Sequence, residues 1–457
     1  MKTYQDLIKS NDKSKFVITA VSDYKASEAY KQAIEGTDYS TGKNTAITNF
    51  RKLLYTITGE AVPDNFSANH KCASGFLNRL TCQLSSYLLS NGVTFEKDET
   101  KNEIDPDLDV KLLTAAQDAL TQGAAFAFLN IPENRLIYFK ADEFCPLFDE
   151  ETGALRAGIR FWQIASDKPI RFTLFEEDGY TEYIKDDNDT RELQPKRAYI
   201  VQTVSSKADG LEIVGGTNYA TFPIVPLYAN NYKQSELVPI KSQIDAFDLI
   251  KSGFANDLDD ASMIYWTINN AGGMTDVDLA KFIERIKVVK AVAVDDEARA
   301  EAHTVDVPYQ SREAYLNRLE KDIIKDFMGL DADKLQGGNI TATQIKAAYE
   351  PLSEKADRFE AQVIQHICAI LKLAGIEDYP RFRRSQMSNE AELTQMVMQC
   401  ANYLDTQTIL EHLPFITIDE VPVILERLEK EEADRMPFDN GQEDEDEKEE
   451  NDDEKSN

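Results

Sequence analysis

Asp105, Asp107 and Asp109 stand at alternate positions, as acids do at the start of a calcium loop. Val110 and Ala116 occupy the places where such a loop needs a glycine and a glutamate, so the resemblance stops there. The glycine pairs Gly215-Gly216, Gly272-Gly273 and Gly337-Gly338 lack the lysine and the strand-to-helix setting of a phosphate cradle, and read as turns. His70, His303, His366 and His412 share no ligand spacing, and no G-x-S-x-G or H-E-x-x-H stretch occurs. His366 lies beside an apolar helical stripe and reads as a hydrogen-bonded core residue rather than a base. Asn188-Asp-Thr190 and Asn339-Ile-Thr341 match glycosylation sequons, which mean nothing without secretion. The residue types therefore name no catalytic group, metal ligand or cofactor, and the expectation is a structural protein rather than an enzyme. A carboxylate-based hydrolase stays open as the alternative, because 81 acidic residues place many pairs together by chance.

The totals bound the classes. The 457 residues allow two to four structural units, and 42% apolar content is enough for a substantial core. No run of eighteen apolar residues occurs, and the start MKTYQDLIKSNDKSK lacks an apolar h-region, so neither a membrane span nor secretion is expected. Five cysteines (Cys72, Cys82, Cys145, Cys368, Cys400) are scattered, odd in number and without a C-x-x-C pair, which suits a reducing compartment. The formal charge is −31, and the last eighteen residues hold −8 of it, leaving −23 on residues 1–439. A protein that grips DNA needs lysine and arginine to displace counterions from phosphates. This chain offers the reverse.

The elements that must position its groups change along the chain. Residues 1–66 are polar and turn-rich (Gly36, Gly42, Gly59, Pro63) and read as a loosely packed arm. Helical spacing of Phe76, Leu77, Leu80, Leu84, Tyr87 and Leu88 predicts a helix over Asn69–Ser90, and Asp107–Gln122 a second ending at Gly123. Between 124 and 228 the runs AAFAFLN/RLIYF and IRFTLFEE/YTEYI are hairpin patterns, with GIRFWQI and RAYIVQTV as further strands and Trp162 expected in the core. From Glu236 to Ile268 one long helix is expected. Ile240, Ile244, Phe247, Phe254, Leu258, Ala261 and Tyr265 follow four-three steps interrupted by Lys251, a stripe that packs lengthwise on other long helices. Asp245, Asp248, Ser252, Asn256 and Asp259 form a polar stripe on its other side.

Asn269–Pro308 reads as a compact insert, opened by the capping box Thr275–Asp278 and followed by two β runs, KVVKAVAV and EAHTVDV. A return helix, Ser311–Leu330, places Leu316, Leu319, Ile323 and Phe327 on one side; the polar break DADKLQGGNI follows. Thr341 and Gln344 form a second capping box, opening a long helix to Gly375 in which Pro351 predicts a kink near 347–351. Short helices fill Ser388–Arg435 ahead of the acidic tail. The fold class is α+β, mainly helical.

Two stretches together carry a family resemblance. HKCASGFLNRLTCQLSSYLLSNGVTF (70–95) precedes QDALTQGAAFAFLNIPENRLIYFKADEFCPLFDEETGALRAGIRFW (117–162). Between 236 and 375 a long helix, a small insert, a return helix, a glycine-bearing loop and a proline-bearing helix follow in order. This resembles the portal proteins of tailed double-stranded-DNA bacteriophages of the long non-contractile-tail type, over roughly residues 60–435; TQTILEHLPFITIDEVPVILERLEKEE is similar to that family's C-terminal segment.

The resemblance implies a ring of about twelve copies of the chain, at one capsid vertex of the virion, assembled in the host cytoplasm. Double-stranded DNA would pass through it without sequence recognition during packaging and ejection. Other implied partners are the terminase, the major capsid and scaffolding proteins and a head-completion or connector protein, with no membrane and no cofactor. It implies an N-terminal arm (1–39), a wing (40–235), a first stem helix (236–268), a clip (269–308), a second stem helix (309–330) and a tunnel loop (331–340). A kinked wing helix and connector (341–387), a crown (388–435) and a disordered acidic tail (436–457) complete it. The loop residues Asp331, Asp333, Lys334, Gln336, Gly337, Gly338 and Asn339 would approach DNA most closely. The polar stem stripe would line the bore, and the apolar stripes of the two stem helices would pack copies together. Asp276, Asp278, Lys281, Glu284, Lys287, Asp295, Asp296 and Glu297 would present the clip to partners. An acidic bore would repel a polyanion toward the axis, with screening over ~8 Å confining the effect to near contact. A scaffold or cargo adaptor working through its acidic tail is the remaining alternative.

Overall fold

The computed structural model describes residues 1–55, 59–64, 68–97, 99–186, 189–207, 210–261, 265–269, 275, 299–303, 309–335, 341–385, 390–413, 415–417 and 420–435. By its contacts the chain divides into two compact units, Met1–Gln336 with Ala348–Gln386, and Gly337–Ala347 with Met387–Asn457.

The first unit opens with α1 (Tyr4–Lys9), α2 (Lys13–Ala26) and α3 (Glu28–Ser40), each started by a side-chain cap from Thr3, Asp12 or Ser27. These residues are not a loose arm. Phe16, Val17, Ala20, Val21 and Tyr24 share one face of α2 and join Leu7 in a core with Cys145, Leu147, Ile159, Phe161, Phe172 and Leu174. The stripe was diluted by Lys13, Lys15, Asp23 and Lys25 on the same helix, so the segment's mean polarity hid it. A short α4 (Thr45–Thr48) and the antiparallel pair β1 (Leu53–Tyr55) and β2 (Ala61–Pro63) follow.

The next helix, α5 (Phe76–Leu89), begins seven residues later than its periodicity predicted, because the backbone N–H groups of His70, Cys72 and Ser74 are bonded to side chains elsewhere. After β3 (Val93–Thr94) and α6 (Thr100–Ile104), α7 (Leu108–Gln122) stops at Gly123, which takes φ +95° as expected of a helix C-cap glycine. Then come β4 (Ala124–Asn130), β5 (Arg135–Lys140), β6 (Phe144–Phe148), β7 (Leu155–Trp162), β8 (Ile170–Glu176), β9 (Gly179–Asp186), β10 (Asp189–Arg197), β11 (Val201–Lys207), β12 (Gly210–Thr217) and β13 (Ile224–Tyr228). They form a five-stranded antiparallel meander, β10-β9-β8-β7-β6, a three-stranded sheet, β13-β4-β5, and the hairpin β11-β12. The two predicted hairpins are present as β4-β5 and β8-β9. Trp162 is half-buried rather than core, with the Arg160 guanidinium 4.6 Å over its ring.

The predicted stem helix is shorter than its stripe. α8 spans Lys241–Ala261, because Pro239 disfavours helical backbone before it and the β-branched and aromatic run after it forms β14 (Tyr265–Asn269). Its antiparallel partner is β15 (Arg299–His303), within the predicted EAHTVDV run; KVVKAVAV lies outside the described residues. The return helix α9 is Tyr309–Phe327, and Met328 at φ +63° ends it before Leu330. The long helix α10 (Ala342–Ala374) runs past Pro351, and Thr341 and Gln344 exchange both capping-box bonds, at 3.1 and 3.3 Å. A final strand, β16 (Arg381–Phe382), pairs with β3.

In the second unit α11 (Glu390–Cys400), α12 (Thr406–His412) and α13 (Val421–Arg435) surround a small core of Val397, Leu410, Leu413 and Val421.

Candidate channel-lining and ring-packing site

The polar stripe of α8 meets protein. Asp248 is fully buried and Ser252 and Asn256 nearly so. Asp248 accepts from the Ser74 N–H at 2.9 Å and from Asn44 Nδ2, Ser252 from the Cys72 N–H at 2.9 Å, and Asn256 from the His70 N–H at 2.6 Å. At the two ends, Asp245 takes bonds from the Tyr39 hydroxyl and from Lys241 Nζ at 2.7 Å, while Asp259 lies 3.1 Å from His70 Nε2. The register has a simple origin. Alternate residues of an extended chain repeat every ~6.6 Å, and every fourth residue of a helix every ~6.0 Å, so 74, 72 and 70 fall opposite 248, 252 and 256. Burial raises the Asp248 pKa, and the hydrogen bonds from Asn44 and Ser74 oppose that rise. Tyr39, Asn44, His70, Cys72 and Ser74 of the same chain thus cover this face, and the expectation that Asp248, Ser252 and Asn256 line a bore is corrected.

The apolar stripes divide. Ile240, Ile244, Leu319, Ile323 and Phe327 are buried inside the subunit, and Phe247 meets Phe76 edge-on at 5.0 Å. Phe247, Phe254 and Leu316 are half-buried. On α8, Leu258 is 53% exposed and Leu249 45%, and on α9 Tyr309 is 55% exposed and Tyr315 49%; among the described residues these large side chains stay uncovered, the two leucines on opposite sides of their helix. Between the two helices a cleft of about 440 Å³ is lined by Ile250, Gly253, Asp257, Ser311, Arg312 and Tyr315.

Of the predicted loop, Asp331, Asp333 and Lys334 are described: Ala332–Leu335 is one turn of 3-10 helix, with the Asp333 N–H on Asp331 Oδ1 at 3.2 Å. Gln336, Gly337, Gly338 and Asn339 lie outside the described residues, as do Asp276, Asp278, Lys281, Glu284, Lys287, Asp295, Asp296 and Glu297 of the predicted clip. Pro351 is half-buried in α10, where its missing N–H leaves the carbonyl four residues back without its helical donor.

Asp105 and Asp109, read as an imperfect calcium loop, are engaged by protein. Asp105 accepts from Lys111 Nζ at 2.5 Å and from the Leu136 and Asp107 N–H groups; Asp109 accepts from the Val93 N–H at 3.0 Å. Burial opposes ionisation of Asp105, but these donors outweigh it and hold its pKa below the usual carboxylate range.

His366 is buried, with Nδ1 donating to the Pro226 carbonyl at 3.1 Å and Nε2 3.2 Å from the Tyr138 hydroxyl, the satisfied core histidine that was expected. Burial pushes its pKa down to about 4 from the ordinary 6.5. Below pH 6.5 the unfolded chain binds a proton that the fold refuses, so this histidine's contribution to stability is complete above that pH and fades as pH falls toward 4. Against His366→Gln, which does not titrate, the wild type's advantage in chemical denaturation is expected to shrink by about 3 kcal/mol between pH 7 and pH 4. An advantage independent of pH would overturn the assignment.

Reasoning from sequence missed three positions that organise the packing around α9 and α10. Glu236, Lys355 and Gln83 sit in unremarkable contexts, and only their partners show their importance: Lys355 bridges Glu236 Oε2 at 2.6 Å to the Phe327 carbonyl at 2.9 Å, and Gln83 bonds Leu330.

Residues 21–445 match the family described as phage portal protein, SPP1 Gp6-like. The portal protein of Clostridium phage phiCD119 is 29% identical over 208 residues, a match spanning 43% of this chain and 46% of that relative, under half its length. Among solved structures, the neck of a native gene transfer agent particle computed with C12 symmetry contains a chain with TM-score 0.44 and 10% identity, over 74% of this chain and 88% of that one. A chain in the virion of the native gene transfer agent particle gives TM-score 0.43 and 11% identity, over 81% and 97%. With a family match covering nearly its whole length, the chain belongs to the SPP1 Gp6-like family of phage portal proteins.

Proposed function

We propose that this chain is the subunit of a portal ring, a passage for double-stranded DNA into and out of a capsid and a platform for terminase, capsid and head-completion proteins. The observation that carries this reading is the exposure of the large apolar side chains Leu249 and Leu258, on opposite sides of α8, and of Tyr309 and Tyr315 on α9, in a chain of that family. Large exposed apolar side chains on helices need a partner, and a closed ring of identical copies supplies one to every subunit without leaving an end.

Residues 241–261 and 309–327 serve as the stem, residues 265–303 as the clip, residues 331–340 as the loop nearest DNA, and residues 388–435 as the crown. The buried middle of the stem's polar stripe, Asp248, Ser252 and Asn256, has no part in the bore. Electrostatic repulsion of DNA falls instead to the loop carboxylates Asp331 and Asp333 and to the net negative charge of the body.

The test is assembly. At micromolar concentration the wild type is expected to form rings by negative-stain imaging, with a mass many times 51.6 kDa in light scattering. The pair Leu249→Asp and Leu258→Asp is expected to remain a folded 51.6 kDa species, since each carboxylate would be desolvated at the contact. A wild type that stays monomeric, or a doubly substituted chain that still closes into rings, would sink the proposal.

A further inference from the structure

The segment that leaves α9 is gripped from both sides before the loop begins. The helix ends in a 6→1 and 5→2 pair of bonds, Gly329 N–H to the Ile324 carbonyl at 2.8 Å and Met328 N–H to the Lys325 carbonyl at 3.0 Å. Met328 occupies the left-handed position usually held by glycine, a conformation unfavourable for a residue with a β-carbon. Something outside the turn must therefore hold it. The glycine stands one residue later, where a β-carbon would come 2.9 Å from Leu80 Cδ2 and 3.2 Å from Gln83 Oε1, so Gly329 is there to let the chain approach α5.

At that approach Gln83 bonds one residue twice. Its Oε1 accepts from the Leu330 N–H at 2.9 Å and its Nε2 donates to the Leu330 carbonyl at 3.3 Å. A carboxamide has the donor and acceptor of a peptide unit, so Gln83 pairs with Leu330 as a neighbouring strand would. On the other side, Lys355 holds the last carbonyl of α9, that of Phe327. Just beyond Leu330, Asp331 and Asp333 border a cleft of about 430 Å³ together with Arg79, Gln83, Glu320 and Lys321. Leu330 is thus held through both its N–H and its carbonyl at the point where the chain turns from α9 into the 3-10 turn Ala332–Leu335.

We infer that Gln83 is the positioning residue of the segment that follows α9: its two bonds to Leu330 decide where residues 331–335 leave the helix, and so where the DNA-facing loop of the portal reading starts. The grip is read from geometry alone. Its consequence for DNA rests on the portal reading.

The experiment compares Gln83→Met, which keeps the length and loses both bonds, with Gln83→Glu, which keeps the acceptor for the Leu330 N–H. Hydrogen exchange by mass spectrometry is followed over peptides containing residues 329–335 in assembled rings. Loss of one net hydrogen bond is expected to speed exchange at Leu330 about fivefold to tenfold in Gln83→Met and to leave it nearly unchanged in Gln83→Glu. Rings should still form in both, and phage carrying Gln83→Met should retain less packaged DNA. Unchanged exchange in Gln83→Met overturns the inference, as does loss of rings in both variants, which would make Gln83 an assembly residue. Faster exchange with full DNA retention would uphold the grip and overturn its link to the bore. Failure of the portal reading itself would show separately, as a wild type without rings.

Discussion

Gly36→Ala is expected to lower stability by about 4 kcal/mol, one of the two largest effects predicted for this chain. A β-carbon on Gly36 would stand 2.0 Å from the Thr121 carbonyl oxygen and 3.1 Å from Ser235 Oγ. That carbonyl belongs to the last turn of α7, where helical acceptors have no donor of their own, and the Ser235 hydroxyl supplies one at 2.5 Å. Gly36 is what lets α3 lie backbone to backbone on this turn. A methyl group must push the helices apart or displace the serine, leaving a buried carbonyl unbonded. Denaturant titration of the assembly-deficient chain measures the loss. Gly253→Ala is the contrast, because a β-carbon there meets nothing within 4 Å and the helix gains propensity; it should cost nothing in the subunit. A Gly36→Ala loss under 1 kcal/mol would mean that the two helices separate easily.

Lys355→Met is expected to cost roughly 3–5 kcal/mol. The ammonium sits between the Glu236 carboxylate and the Phe327 carbonyl and lies 3.5 Å over the Phe327 ring, with 14% of the lysine side chain and 10% of the glutamate side chain exposed. Burial pulls the lysine pKa down and Glu236 pulls it up; burial prevails. Methionine fills the volume but leaves a buried carboxylate whose remaining partner here is Asn230 Nδ2 at 2.8 Å. Much of the cost is therefore the stranded charge. Removing it as well, with Glu236→Leu in the same chain, should recover most of the stability, the pattern of buried pairs replaced by apolar residues. A double substitution as unstable as Lys355→Met alone would show that the pair itself, and not the orphaned charge, holds the junction. Because Lys355 caps the helix that leads to Leu330, this substitution should also loosen the loop root gripped by Gln83.

The burial of the α8 stripe changes what its charges do. Seen as a helix, Asp245, Asp248, Ser252, Asn256 and Asp259 are acceptors awaiting water or a polyanion. In the fold Asp248, Ser252 and Asn256 are the acceptors for a stretch of extended chain that has no sheet to join, since Ser74, Cys72 and His70 spend their N–H groups on them. The stripe is thereby a fastening between α8 and the segment that leads into α5.

Sequence alone settled the features whose causes are local. Gly123 ends α7 because glycine reaches φ +95° without strain, Thr341 and Gln344 open α10 because each caps the other, and the two hairpins follow from alternation broken by turn residues. The stretches 70–95 and 117–162, together with the order of elements between 236 and 375, indicated the family. Tertiary structure decided the rest, since periodicity tells that a face is apolar or polar but never what covers it. The distant partners of the α8 stripe lie 174 to 206 residues away, and Gln83 reaches across 247 residues to Leu330. Polar side chains owe their role to which donor or acceptor the folded chain brings within 3 Å, and that distance exists only once the helices have packed.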